Sequence, residues 1–294
     1  MPAPGGPRAA AQVLSSARMD GAAVQERQRE FGKGLARAFA GAVIFALPLL
    51  MTMEMWWLGF YMPAWKLALF LALFFPFLVS LSWHAGFEPT FSLRDDVVDA
   101  LVAYAVGFTA SVAVLALLGL LTPDMSWREI VGKVSLQAVP ASIGALLAQT
   151  QLGEKQAGQP QRGGVASYGS ELFIMAVGAL FLAFNLAPTE EMVLIAAGLS
   201  AQGAVLLMVV SVLLMHTFVY SVAFRGQEDT GPASGWSVLL RFSIAGYAVV
   251  FLVSAFMLWC FGRFDGLAAA HALQATAVLG LPAAVGAAAA RLIL

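Results

Sequence analysis

Charged residues and cysteine are both scarce in this sequence. Only 11% of its 294 residues are charged, whereas 60% are hydrophobic, and the mean hydropathy is +0.82. A soluble domain carries about 25% charged residues, so the composition indicates a polytopic membrane protein. The net charge of −1 argues against a nucleic-acid partner. The single cysteine, Cys260, excludes an intrachain disulfide, a cysteine-based zinc site and a four-cysteine iron–sulfur cluster.

Motifs of soluble enzymes are missing as well. The sequence has no Walker loop, no Gly-x-Gly-x-x-Gly entering a soluble helix and no Gly-x-Ser-x-Gly elbow. The three histidines lack the spacing of a metal or haem motif, and no cofactor is predicted. Met1–Glu30 has no apolar run of the kind found in secretory signals, which favours a disordered or weakly helical cytoplasmic tail.

Apolar stretches of spanning length follow this tail and predict an all-α bundle of about eight transmembrane helices. Seven is the alternative, because the fourth stretch contains Lys133, Gln137 and Pro140. Most Lys and Arg residues lie at the ends that are cytoplasmic if both termini are inside, as in a bacterial inner-membrane protein. The predicted spans are Ala36–Trp57, Trp65–Trp83, Val97–Leu121, Ile130–Ala148, Leu172–Leu194, Ser200–Phe224, Val238–Phe261 and Ala268–Ala290.

An internal repeat is hidden in this apolar background. Gly41–Met55 aligns with Gly178–Met192, and similar segments follow in the same order in the third and seventh and in the fourth and eighth spans. Four spans bring the chain back to the same side, so we expect a parallel repeat with a pseudo-two-fold axis along the membrane normal. Chance matches among small apolar residues are the alternative. The predicted organisation is a tail (1–30), a first repeat (31–148), a cytoplasmic linker (149–170) and a second repeat (171–294).

The repeat aligns two acids that lie at membrane depth. Glu54 and Glu191 each follow a threonine at the end of the first span of their half. Such carboxylates usually face a water-filled path, and two of them close together share protons or attract a cation. The candidate ion site consists of Glu54, Glu191, Glu190, Thr52, Thr189 and Asn185. The alternative is an interfacial helix end, with Thr189 as N-cap and the acids in the first turn.

A second acidic cluster lies at the predicted cytoplasmic end, between the second and third spans. Ser92 and Asp95 have capping-box spacing, and acids favour the first turn of a helix. The alternative is a divalent-cation or proton-entry site. The residues concerned are His84, Glu88, Asp95, Asp96 and Asp99.

Other polar and small residues inside the spans have two interpretations each. His216 is either a histidine bonded to a neighbouring helix or a proton relay. Asn185 is also expected to bond across helices, as an alternative to its place in the ion site. Small residues such as Gly41, Gly107, Gly178 and Gly286 are expected to allow close helix packing.

Two segments resemble a family of uncharacterised bacterial integral membrane proteins. They are Trp-His-Ala-Gly-Phe with Phe-Ser-Leu-Arg-Asp-Asp, within residues 83–96, and Asn-Leu-Ala-Pro-Thr-Glu-Glu-Met at residues 185–192. The resemblance covers about Phe31 to Phe261. It implies an inner-membrane location but no activity, so no catalytic residue is carried over from it.

Three functions remain open from the sequence, and an enzyme is not the favoured one. The leading hypothesis is a transporter or channel for a small cation or proton, with Glu54 and Glu191 as its acids. The second is a membrane-embedded enzyme that acts on a lipid or quinone through His84, Glu88 and the nearby aspartates. The third is a non-catalytic sensor or assembly subunit. The expected partners are the lipid bilayer and a small cation or proton, and the oligomeric state is open.

Overall fold

The computed structural model describes residues 7–85, 92–152, 168–226 and 239–293, in which helices are joined by short turns and no strand occurs. A π-helical segment, Leu239–Ile244, leads into the ninth helix. The helices are α1 (Pro7–Leu50), α2 (Met53–Tyr61), α3 (Ala64–Ala85), α4 (Leu93–Leu117), α5 (Trp127–Leu152), α6 (Tyr168–Leu186), α7 (Glu191–Gly198), α8 (Ala201–Gly226), α9 (Ala245–Cys260) and α10 (Ala269–Ile293).

In the described part of the chain, eight of these helices are long and apolar enough to cross a membrane, as the eight-span prediction requires. The fourth is among them despite its polar residues, because Lys133 and Gln137 are buried in the bundle rather than facing lipid. The candidate spans are Gln28–Leu50, Ala64–Trp83, Leu93–Leu117, Trp127–Ala148, Tyr168–Leu186, Ala201–Phe218, Phe242–Cys260 and Ala269–Arg291.

Two helices form the centres of the bundle. Every residue from Gly132 to Leu146 of α5 is buried, and α5 packs against α1, α2, α3 and α4. The last helix, α10, packs in the same way against α6, α7, α8 and α9. The buried share of the span is 78% for α5 and 61% for α10, against 17–39% for the other six. The remaining spans therefore surround these two.

Glycines permit the closest helix contacts, as the sequence predicts. A Cβ added to Gly41 would collide with the carbonyl oxygen of Gly144, and one on Gly178 would collide with that of Gly286. Gly107 packs equally closely against Ser142. Contact between backbones is the usual way in which helices associate within lipid, where the hydrophobic effect gives no drive.

Phenylalanine rings fill the contact between the first five helices and the last five. Phe45 of α1 lies 4.5 Å from Phe181 of α6, measured between ring centroids. Phe74 of α3 reaches Phe184 at 5.4 Å and Phe256 of α9 at 6.2 Å. These tilted ring pairs are favourable aromatic geometries, so the contact is apolar and closely packed.

Helix ends differ from the prediction at three places. The first and fifth spans stop at Leu50 and Leu186, and the apolar residues that follow form the separate short helices α2 and α7. α1 already begins at Pro7, so the described part of the tail is helical, the second of the two forms expected for it, and it is continuous with the first span. The short helices place the threonine–glutamate segments at the turns after α1 and α6.

Candidate functional site

Arg263 is positioned by the turn that ends α9. Gly262 has a φ of +71°, a conformation that glycine adopts without strain. The Arg263 N–H donates to the Leu258 carbonyl at 2.8 Å, which closes the helix end in a Schellman motif. This geometry directs the Arg263 side chain, only 17% exposed, toward the connection between α6 and α7.

The Arg263 guanidinium interacts electrostatically with acids from two distant parts of the sequence. Nη2 donates to the carbonyl of Pro188, and Nη1 lies 3.9 Å from a carboxylate oxygen of Glu190. Burial lowers the pKa of Arg263, while the negative charges of Glu190, Glu54 and Glu191 oppose that shift. All three acids therefore lie within electrostatic reach of one cation, which offsets one of their three charges. We call Glu54, Glu190, Glu191 and Arg263 the Arg263 cluster.

Sequence reasoning missed Arg263, although it identified all three acids. The residue lies 72 positions after Glu191, in a loop that gives no periodic signal. By sequence alone, Arg263 is one of four basic residues predicted at the same side of the membrane, and such residues are ordinary at a membrane interface. The other three are Lys66, Arg128 and Lys133. A single arginine following a glycine at a helix end was the available signal, and it is a weak one.

Hydrogen bonds at the α6–α7 turn hold Glu191 in its charged form. The backbone N–H of Glu191 and the Thr189 hydroxyl lower its pKa below the ordinary value of 4.5, and the charge of Arg263 adds a smaller contribution. Two carboxylates that repel each other raise each other's proton affinity, whereas these hydrogen bonds lower the pKa of Glu191. A carboxylate that stays ionised suits cation attraction better than proton storage.

The two threonines do not cap their helices through their side chains. Thr52 occupies the N-cap of α2, but its hydroxyl donates back to the Pro48 carbonyl at 2.6 Å. Glu190 rather than Thr189 occupies the N-cap of α7, so the predicted Thr189 cap is wrong. Glu54 and Glu191 do lie in the first turns of α2 and α7, where the helix dipole favours anions.

Asn185 bonds within its own helix rather than across helices, since its amide donates to the Phe181 carbonyl at 2.7 Å. Two glutamines make the cross-helix bonds instead. Gln137 of α5 donates to the Leu49 carbonyl at 3.2 Å, and Gln274 of α10 donates to the Leu199 carbonyl at 2.9 Å. Each central helix is thus bonded to backbone near the end of a neighbouring helix.

The aspartates at the start of α4 form the predicted helix start. Ser92 is the N-cap and accepts the Asp95 N–H at 3.4 Å, while Asp99 accepts a hydrogen bond from Ser82 of α3 at 3.2 Å. Asp96 is buried. Glu88 and the side chain of His84 lie outside the described residues, and the part of the chain that is described contains no group of three His, Cys, Asp or Glu able to hold a metal ion.

His216 bonds to a neighbouring helix. Its Nδ1 lies 2.9 Å from the Ser243 hydroxyl, and Ser243 is buried in the π-helical segment before α9. A π-turn widens a helix by one residue and is frequent at functional sites. The contact matches the structural interpretation of this histidine, and the proton relay stays a hypothesis.

Comparison with known proteins places the chain without assigning an activity. No curated protein and no solved structure is significantly similar to it. A family model with the description "Putative integral membrane protein (DUF2391)" matches residues 34–294. That range includes all eight candidate spans except the first few residues of the first. The chain therefore belongs to this family of integral membrane proteins.

Proposed function

We propose that the protein is a transporter or channel for a small cation or proton in a bacterial inner membrane, with both termini cytoplasmic. One observation carries the proposal: Arg263 pairs with Glu190 at 3.9 Å, beside Glu191 and within electrostatic reach of Glu54 in α2. A charged cluster formed by two parts of one chain is typical of an ion pathway between structural repeats.

The proposal includes the parallel repeat of four spans, which two sets of helix contacts support. Gly41 packs against Gly144 and Ala148 on the fourth span, and Gly178 packs against Gly286 and Ala290 on the eighth. In the repeat, Gly41 is aligned with Gly178, and Gly144 is aligned with Gly286. The same two helices thus meet through aligned residues in both halves.

The ends of the third and seventh spans give independent support for the repeat. Gly119 and Gly262 both have a φ of +71°. Leu120 N–H donates to Leu115 and Arg263 N–H donates to Leu258, each at 2.8 Å, so both helices end in the same Schellman motif. The second half has an arginine where the first has leucine, which makes the cluster asymmetric.

In the proposed mechanism, Arg263 acts as a built-in counter-ion. An incoming cation is attracted by the exposed Glu190 and Glu191, and it must compete with the guanidinium for them. Thr52, Thr189 and the amide of Asn185 supply oxygen atoms beside the acids. The packed phenylalanines of α3, α6 and α9 close the contact below the cluster, so conduction requires the two halves to move apart. In the proposed orientation, His216 and the aspartates at the start of α4 lie on the cytoplasmic side of this path.

Flux in proteoliposomes across a panel of monovalent and divalent cations tests the proposal. Glu54→Gln and Glu191→Gln should each reduce gradient-driven uptake, because they remove charge that attracts the cation. Arg263→Gln should lower the cation concentration for half-maximal flux by about tenfold, the equivalent of about 1.4 kcal/mol.

Asp265→Asn is the matched control for these variants. Asp265 is an exposed carboxylate two residues from Arg263, and its partner is Lys66 at 3.5 Å rather than the Arg263 cluster. The Asp265→Asn substitution removes one negative charge from the same end of the bundle, as the glutamate substitutions do, and it should leave flux unchanged. Equal flux in the wild type and in the Glu54 and Glu191 variants would overturn the proposal, as would an Asp265→Asn defect as large as theirs.

A further inference from the structure

A second polar site lies at the same end of the bundle, apart from the Arg263 cluster. It is a cavity of about 330 Å³ between α2, the start of α5 and the turn after α4. Its size falls in the range of about 300–1,000 Å³ that small-molecule sites occupy. Its lining residues are Trp56, Trp57, Phe60, Tyr61, Gly119, Leu120, Met125, Glu129 and Lys133.

An ion pair between buried Lys133 and partly exposed Glu129 forms the polar part of this cavity. Lys133 is only 8% exposed, and its ammonium lies 3.2 Å from a carboxylate oxygen of Glu129 and 3.7 Å from the sulfur of Met125. An ammonium has three N–H donors, and neither a thioether nor a single carboxylate oxygen satisfies it fully. Glu129 therefore satisfies only part of the hydrogen-bonding capacity of this buried ammonium, and a further acceptor at this position is favourable.

Close backbone packing fixes Lys133 in this place. Gly59 of α2 lies directly against the backbone of Lys133, and a Cβ on Gly132 would collide with the carbonyl oxygen of Gly59. The α2 helix therefore cannot move away from α5 without losing this contact. The cavity is a preformed feature of the α2–α5 contact.

Aromatic rings form the rest of the wall. Trp56 is held by its indole N–H, which donates to the Leu50 carbonyl at 2.7 Å. Trp57 is 57% exposed and Tyr61 is 63% exposed, so both also face the surroundings of the bundle. Exposed tryptophan and tyrosine rings at the end of a span are typical of the lipid headgroup level. Their faces attract cations.

We propose that this cavity binds the headgroup of a zwitterionic phospholipid. The lipid phosphate accepts from the Lys133 ammonium, and the lipid ammonium group lies against Glu129 and the faces of Trp57 and Tyr61. Both charges of the ion pair then gain an opposite charge. A headgroup with a phosphate alone leaves its negative charge beside the Glu129 carboxylate, which disfavours anionic lipids.

Native mass spectrometry of the full chain in detergent tests this inference. Phosphatidylethanolamine, phosphatidylcholine and phosphatidylglycerol with identical acyl chains are added in turn, and bound lipid is counted. Both zwitterionic lipids should bind more tightly than phosphatidylglycerol. Lys133→Met and Trp57→Ala should each weaken zwitterionic binding by about tenfold, through loss of a charge-assisted hydrogen bond and of a cation–π contact respectively.

Two matched controls separate the cavity from the interface in general. Lys66→Met removes the other lysine that pairs with a carboxylate at this end, and Trp65→Ala removes a tryptophan with the same exposure as Trp57, 58% against 57%. Neither lines the cavity, and neither should change lipid binding. Trp57→Ala keeps the test valid if the buried Lys133 variant does not fold.

Two results would overturn the inference. One is binding of phosphatidylglycerol as tight as that of the zwitterionic lipids. The other is zwitterionic binding that stays unchanged in Trp57→Ala or in a folded Lys133→Met. The cavity shares α2 with Glu54, but no residue of the Arg263 cluster lines it. Failure of cation flux would therefore leave this result standing.

Discussion

Gly178 of α6 and Gly286 of α10 each occupy the space that a Cβ of the other would need. Neither position should tolerate a larger side chain, because the atoms that it would meet are backbone atoms, which cannot rearrange as a flexible side chain does.

Gly178→Ala should therefore lower the free energy of unfolding by about 1–3 kcal/mol, because the added methyl forces α6 away from α10. Thermal unfolding in detergent measures the loss. The control is Gly198→Ala at the end of α7, where a Cβ would meet nothing within 4 Å. Gly198→Ala should be neutral or slightly stabilising. Equal stability of Gly178→Ala and the wild type would contradict the close α6–α10 contact.

At Gly119, substitution should reveal backbone strain alone. A Cβ there meets nothing within 4 Å, but the φ is +71°. Gly119→Ala should cost about 1–2 kcal/mol, and Gly119→Asn should cost less because asparagine tolerates this conformation. The same thermal assay compares the two variants. If Asn proved as costly as Ala, the cause would lie in side-chain volume and not in φ.

The pKa of Glu191 should depend more on Thr189 than on Arg263. The hydrogen bonds from the Glu191 backbone and the Thr189 hydroxyl are the leading causes of its lowered pKa, and the charge of Arg263 is the smallest. Thr189→Val should therefore raise this pKa further toward 4.5 than Arg263→Gln does, as measured by NMR titration of labelled glutamate side chains. The opposite order would mean that the guanidinium dominates.

This lowered pKa also sets the direction of a pH effect. A carboxyl whose pKa is lower in the folded state stabilises that state above its unfolded pKa, here near 4.5. The contribution is lost as the pH falls through the folded pKa. Thr189→Val should reduce this acid sensitivity, measured as the change in melting temperature between pH 6 and pH 3, relative to the wild type.

The pair of Arg291 and Glu171 should anchor the last helix to α6. The two side chains meet at 2.9 Å and are 18% and 23% exposed, and the guanidinium lies 4.3 Å from the centre of the Phe242 ring. Arg291→Met should cost about 1–3 kcal/mol, since a poorly solvated carboxylate is left without its cation. Arg291→Lys should recover part of this, because lysine pairs with the acid but stacks less well on the ring.

Lys66→Met gives the comparison for the Arg291 variants. Lys66 itself is only 10% exposed, but its partner Asp265 is 73% exposed. Lys66→Met therefore leaves a carboxylate that water solvates, and it should cost only about 0–1 kcal/mol. Chemical denaturation of the detergent-solubilised protein measures all three variants. A Lys66→Met loss equal to that of Arg291→Met would contradict the importance of burial.

Hydropathy predicts the spans because every side chain that faces lipid has to be apolar. It could not predict the helix breaks after Leu50 and Leu186, since apolar residues continue through both. The glycine contacts were predictable because small residues in membrane helices usually mark the places where two helix backbones pack closely. Arg263 and the glutamine–carbonyl bonds were not, because they depend on which loop reaches which helix. The sequence aligned Glu54 with Glu191, but the cation that both acids face comes from outside that alignment.

The burial of α5 has a consequence for how the protein is made. Its span carries Lys133 and Gln137 and has a mean hydropathy of 1.5, against 2.0 and 2.1 for the two spans before it. A lysine opposes insertion of an isolated span by about 2.5–3.5 kcal/mol at the span centre, and by less toward the span end, where Lys133 lies. Every helix that packs around α5 in the first half precedes it in the chain, and the same holds for α10 in the second. The ribosome thus delivers each central helix last, when the partners that cover its polar side chains are already in the bilayer.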